Sequence, residues 1–436
     1  RITAATLRIG DASSGAASIT SRIEPANTNI VHLTTGSTVS QTSEIVVSSL
    51  GVTSGSAVTL TNNANDIDTL AIDTATGAIQ YTDASGFDVG TVDGVNGVDT
   101  DNGTITLIAL TSNLTASQNI DSAAQNTQLT ASGVGGQVTQ SGGSIITVGL
   151  GVTANGVVTL AQTGNDVDTV SIDTSTGNIQ FTDTDGFNVG TVNVIPGIDT
   201  DSGSITLLSV SGNLTVENTA AVNDIDATTT IDVLLQGNED TFTVNAGADI
   251  ESTGGAHTYT ADKMNLGGTI TATGQIVTLQ PETVTDADVV NLGSAVDTTA
   301  NSLELSDTEI DQITAGTLRI GSAAAGTITI SEDISPANAS TLSLLSDAGL
   351  TQQTGDTITV ANLRIDVDEA VSLNEANSVT TLAANVSGSA QAFSFRDAAT
   401  LLLDTVDGIT GITTNAANIT LDVDTGTLTQ DTGEII

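Results

Sequence analysis

Three acidic turns hold the residues best placed to do chemistry. Asn65-Asp66-Ile67-Asp68, Asn165-Asp166-Val167-Asp168 and Asn223-Asp224-Ile225-Asp226 each set two carboxylates one residue apart. Alternate residues of a strand share a face. Asp66 with Asp68, Asp166 with Asp168, and Asp224 with Asp226 could therefore converge, with carbonyl oxygens, on a hard cation, which outside a cell means calcium. The competing and favoured reading is Asx-type turns on a solvated acidic face, because the Gly-Gly-x-Gly-x-Asp nonapeptide of calcium-binding β-rolls is absent. Asp99 with Asp101, and Asp199 with Asp201, are weaker versions of the same pattern. No cofactor is required on either reading.

Catalysis needs more than carboxylates. His32 and His257 are the only histidines and Lys263 the only lysine. No motif sets a base beside an electrophile. His257, Tyr259, Asp262 and Lys263 lie close in sequence, and a loop or module junction explains them better than a catalytic cluster. The expectation is that the chain is not an enzyme. Arg8, Arg319 and Arg364 stand in Leu-Arg-Ile settings, which points them outward to pair with acidic residues of neighbouring turns.

Composition narrows the partners. Against 7 Lys+Arg stand 51 Asp+Glu, a formal net charge of -44 over 436 residues. Nucleic acid and anionic membrane surfaces need clustered cations, so both are disfavoured, and cations are the natural small partners. No apolar run approaches the length of a membrane span. Cysteine is absent, which rules out disulfides and thiolate metal sites. Hydrophobic residues reach 38% but aromatics only 2%, so a core must be built from Val, Ile, Leu and Ala. A thin solenoid filled by stacked aliphatics meets that condition.

The elements that must position these residues are short strands in repeats. Residues 51–115 align without gaps to 151–215, with 36 of 65 pairs identical. A longer repeat relates Ile2-Thr3-Ala4-Ala5-Thr6-Leu7-Arg8-Ile9-Gly10 to Ile313-Thr314-Ala315-Gly316-Thr317-Leu318-Arg319-Ile320-Gly321. Thr405-Val406-Asp407-Gly408 echoes Thr91-Val92-Asp93-Gly94. Val58-Thr59-Leu60, Leu70-Ala71-Ile72 and Ala78-Ile79-Gln80-Tyr81 alternate apolar with polar, the pattern of a strand with one buried face. Gly, Asn and Asp fill the turns between.

The fold expected is an all-β parallel β-helix, or β-solenoid, with about 20 residues per coil, hence roughly 21 coils and a rod of about 100 Å. A sandwich array is the rival, disfavoured by the lack of Trp. The modules run 1–50 (A), 51–150 (B), 151–240 (B copy), 241–311 (connecting), 312–360 (A copy) and 361–436 (partial B copy), all in one continuous solenoid. Arg1 at the start, and Ile436 in mid-module, read as cuts within a longer protein.

Thr139-Gln140-Ser141-Gly142 leads into Ile145-Ile146-Thr147-Val148, with variants at Thr351-Gln352-Gln353-Thr354-Gly355 and Thr429-Gln430-Asp431-Thr432-Gly433. With the Thr-Leu-Arg-Ile-Gly segments, this resembles the repeat shafts of filamentous-haemagglutinin-like proteins, large bacterial exoproteins of the two-partner-secretion or autotransporter kind. The resemblance covers essentially the whole chain. It implies a right-handed helix, secretion to the extracellular face of a bacterium, and service as a rigid filament or adhesin shaft in adhesion or cell–cell contact. The partners implied are a second copy joined end to end, or a receptor on a host or neighbouring cell. The alternatives are a calcium- or glycan-binding adhesive module and, third, a carbohydrate-active β-helix enzyme.

Overall fold

The structure, a computed structural model, describes residues 2–219, 222–283 and 288–431. Contacts divide it into two bodies, residues 1–210 with 219–227 and residues 211–218 with 228–436. Both are parallel β-solenoids, and together they make about 18 turns of about 22 residues with almost no helix.

Period-two alternation accounts for the wall. In the first body Leu33 stacks on Val52, Val52 on Ile72, Ile72 on Val98, Val98 on Ile120 and Ile120 on Ile145. In the second, Leu318, Leu342, Leu363, Leu382 and Leu403 form a single column. All of these side chains are buried. Each fully buried aliphatic contributes about 1.5–3 kcal/mol relative to exposure, and the parallel register repeats that gain at every turn. The few aromatics are not spared: all six Phe and both Tyr are buried inside the solenoid. Tyr81 meets Phe87 edge-on at 5.1 Å, and Phe181 meets Phe187 at 5.0 Å.

The turns are longer and fewer than the strand spacing suggests, because several carry insertions. Leu50 stacks on Leu70 after a plain turn. Ile72 to Val98, Ile172 to Ile198 and Ala384 to Ile412 each include an antiparallel hairpin. These hairpins pair Thr91–Val92 with Val95–Asn96, Thr191–Val192 with Ile195–Pro196, and Thr405–Val406 with Ile409–Thr410. Asp93 and Gly94 sit at φ 50° and 92°, and Asp407 and Gly408 at 43° and 86°, the left-handed pair that a two-residue turn needs to match strand twist. In the second body Ile270 pairs with Ile313 across an excursion. That excursion carries the strands Val289–Leu292 and Ser302–Leu305 and one helical turn, Asp307–Ile310, closed by a Ser306–Glu309 capping box.

Candidate functional site

Three copies of a polar corner interrupt the apolar interior. Asn165 is fully buried. Its Oδ1 accepts from the backbone N–H of Ile145 (2.9 Å) and from Gln140 Nε2 (2.8 Å). Its Nδ2 donates to Gln140 Oε1 (3.1 Å), Leu160 O (3.2 Å) and Thr182 O (3.0 Å). Asn65 repeats this with Gln41, Ile45, Leu60 and Thr82. Asn377 repeats it with Gln352, Ile358 and Arg396. A buried aspartate completes each corner by accepting a backbone N–H: Asp83 from Ile67, Asp183 from Val167 and Asp397 from Val379.

Burial raises the pKa of all three aspartates, to about 7 for Asp183. Asp83 is restrained by the Tyr81 hydroxyl (2.8 Å) and by the Ser85 N–H and hydroxyl. Asp183 has Phe181 where Asp83 has Tyr81, so beside the Val167 N–H it accepts only the N–H groups of Asp185 and Gly186, at 3.1 and 3.2 Å, and no side-chain hydroxyl.

The hairpins present a second constellation. Arg8, His32, Gly51 and Ala71 stand in one outward column over successive turns. The first hairpin lies on it, with Val92 and Val95 packed on Ala71. At the hairpin tip Asp93 accepts two bonds from Arg8, at 2.7 and 2.5 Å, and lies 2.9 Å from His32 Nδ1. These bonds hold Asp93 at about 2. Arg319, Ser343, Arg364 and Ala383 form the matching column of the second body. There Asp407 accepts from Arg319 (2.9 and 2.7 Å), Ser343 (2.7 Å) and Arg364 (3.3 Å). Burial pushes Asp407 up, but these partners outweigh it and hold it at about 2. The middle hairpin carries Asn193 instead and donates to Gln128 at 3.1 Å.

Beside the first hairpin opens a cleft of about 460 Å³ lined by His32, Thr53, Asp73, Asp93, Asn96 and Asp99. Stacking places Asp73, Asp99 and Asp121 in one ladder and Asp173, Asp199 and Asp226 in another. Partial loss of hydration, then the charges of Asp226, Asp201 and Asp173, raise Asp199 to about 6. Asp99 is raised in the same way by its own surroundings and by Asp121, Asp73 and Asp101. Like charges opposite one another repel. In the cleft His32 Nε2 lies 3.1 Å from the Thr53 hydroxyl while its Nδ1 lies 2.9 Å from Asp93, so a hydroxyl, an imidazole and a carboxylate stand in line there.

The aspartates singled out from the sequence take different places. Asp66 and Asp68 are exposed on either side of buried Ile67, and Asp66 accepts from the Ser85 hydroxyl at 3.0 Å. Asp166 and Asp168 repeat that exposure. Asp224 is buried and accepts from the Thr219 N–H (2.7 Å) and hydroxyl (2.6 Å). Asp226 accepts from Asn223 at 3.0 Å. Among the described residues no three His, Asp or Glu side chains are grouped so as to hold a metal ion.

His257, Tyr259, Asp262 and Lys263 do not share a cleft. His257 is fully buried in the interior, 3.0 Å from Tyr259 Oη and 2.7 Å from Ser252 Oγ, and burial lowers it to about 4. This Ser–His contact is sealed from substrate. Lys263 faces outward and pairs with Glu239 at 2.5 Å. Asp262 accepts the N–H groups of Glu239 and Glu282. Arg8 and Arg319 do face outward and pair with aspartates, but with the hairpin tips rather than with strand residues of the next turn. Arg364 pairs both with the tip Asp407 and with Asp366.

Sequence reasoning missed the corners. It read Thr-Gln-x-Gly and Asn-Asp-φ-Asp as separate motifs. The signal was their near-constant separation: Gln41 to Asn65 is 24 residues, and Gln140 to Asn165 and Gln352 to Asn377 are 25 each. No helix among the described residues is long and apolar enough to cross a membrane. The chain matches no protein-family model, no curated protein and no solved structure.

Proposed function

We propose that this chain is a structural repeat region, a shaft segment of a large secreted bacterial surface protein of the filamentous-haemagglutinin-like kind. A parallel solenoid is compatible with such a role. The observation that carries the reading is the copying of its polar constellations. Among the described residues the Gln–Asn–Asp corner occurs three times and the hairpin three times, and their side chains are spent on bonds to the chain's own turns. A catalytic site is normally single, whereas a shaft repeats its parts. The net charge of -44 keeps such a surface soluble and apart from its neighbours. The repeated wall supports a second copy or a distal adhesive domain without itself recognising a receptor.

The test is placement and activity together. Antibody to the chain should label intact cells of its source, and external protease should strip the label. Labelling only after permeabilisation would sink the surface assignment. Incubation with a panel of neutral and acidic polysaccharides should release no new chain ends. Turnover that persists in purified chain would move the reading to the carbohydrate-active alternative.

A further inference from the structure

Turns of a solenoid ordinarily touch only their neighbours, so stability is a sum of local terms. The hairpins break that rule. The first leaves the wall after Gly90 and returns at Gly97, whose N–H donates to Gly90 O at 2.8 Å. Between these points it folds back over turns that precede it in the chain. Its tip reaches Arg8, 85 residues earlier, and His32, 61 residues earlier. Its apolar side needs a floor of small residues. Ala71 is fully buried beneath it, and a Cβ on Gly51 would come within 3.3 Å of Val92. The second hairpin has the same floor: a Cβ on Gly149 would meet Val192 at 3.2 Å, and one on Gly151 would meet Ile195 at 3.5 Å. The third lies over a column containing Ala383, and its tip reaches Arg319, 88 residues earlier. Three hairpins thus reach backward over earlier turns, two through a charged catch 85 and 88 residues back and one through an amide 65 residues back.

We propose that the hairpins are latches, each closing over the turns laid down before it and locking them into one block that opens as a whole. A block cannot be latched until its earliest turn has formed, since the catch residue sits there. Opening any turn of a block must then break the catch or carry the hairpin with it. The inference holds for any use of the solenoid and does not depend on its location.

The test is hydrogen exchange by mass spectrometry on the full chain, comparing Asp407→Asn, Arg319→Gln and the double variant. Charge-assisted bonds at a largely buried carboxylate are the strong kind. Each single change should therefore speed exchange about tenfold in Ile313–Gly321, Ala339–Ser346 and Thr359–Val367 together. The double variant should add little beyond either single change. Ser49–Ser54 and Thr69–Thr74, under the first hairpin, should not change. Ala71→Leu lifts the first hairpin from outside without altering a charge, so it serves even if the charge variants fail to fold. It should speed Thr6–Asp11, Ile30–Thr35 and Ser49–Ser54 by a common factor. Faster exchange confined to the hairpin itself, or unequal factors among the strands beneath it, would overturn the proposal.

Discussion

The two copies, 51–115 and 151–215, contain a natural experiment at one buried carboxylate, and exchanging it is the sharpest test of the energetics. Tyr81 donates to Asp83 at 2.8 Å, while Phe181 leaves Asp183 without that bond and at about 7. The rings sit alike, edge-on to Phe87 and Phe187 at 5.1 and 5.0 Å, so a hydroxyl added to Phe181 has a place beside Asp183. A hydrogen bond to a charged group is worth about 1.5–3 kcal/mol. Phe181→Tyr should then stabilise the first body by roughly that much at pH 8, where Asp183 is ionised, and by less at pH 5, where it is protonated. In the unaltered chain the sign runs the other way. A carboxyl raised from an unfolded value near 4 to about 7 contributes stability that is whole below pH 4 and is lost as pH rises through 7. Three pKa units correspond to roughly 4 kcal/mol. Phe181→Tyr should flatten that slope, and Tyr81→Phe should steepen it at Asp83. The assay is urea denaturation from pH 4 to pH 8 with a reporter in the first body. Equal stabilisation by Phe181→Tyr at pH 5 and pH 8 would refute the reasoning, because the bond would then not be to a carboxylate.

Other outcomes follow from the same geometry. Asn165→Ala strands Ile145 N–H and the carbonyls of Leu160 and Thr182 in the interior. At about 1–3 kcal/mol per unsatisfied group it should cost several kcal/mol in denaturant titration, whereas exposed Asn63→Ala should cost under about 0.5 kcal/mol. His257, lowered to about 4, contributes stability to the second body that is lost as pH falls from about 6.5 through 4. The loss amounts to roughly 3 kcal/mol; acid melting curves should show it, and His257→Leu should abolish that limb. Asp199→Asn relieves its repulsion with Asp226, Asp201 and Asp173, and should raise the melting temperature at pH 8 by an amount worth under about 1 kcal/mol after solvent screening. Calcium chloride and sodium chloride at equal ionic strength should raise the melting temperature equally if the acidic faces are merely screened. An excess with calcium that disappears in Asp66→Asn/Asp68→Asn would make those turns metal sites.

Local pattern was enough for the wall. Alternation such as Val58-Thr59-Leu60 encodes a buried face within three residues, and the gapless copy at 151–215 says that the same wall is built again. The acidic balance, 51 Asp+Glu against 7 Lys+Arg, is likewise a property of composition. Stacking decided the rest. Gln140 and Asn165 meet across adjacent turns, 25 residues apart, a distance that no local window contains. His257 and Lys263 are six residues apart, a separation that puts them on one face of an unbroken strand. The corner at Ala261-Asp262 splits them between His257–Thr260 and Lys263–Leu266, so one points into the core and the other out. Thr-Val-Asp-Gly was legible as a repeat, but its reach to Arg8 and Arg319 was not. A strand's two faces are set by its own residues, whereas the partner of an outward side chain is set by which turn lies beside it, and only the folded solenoid fixes that.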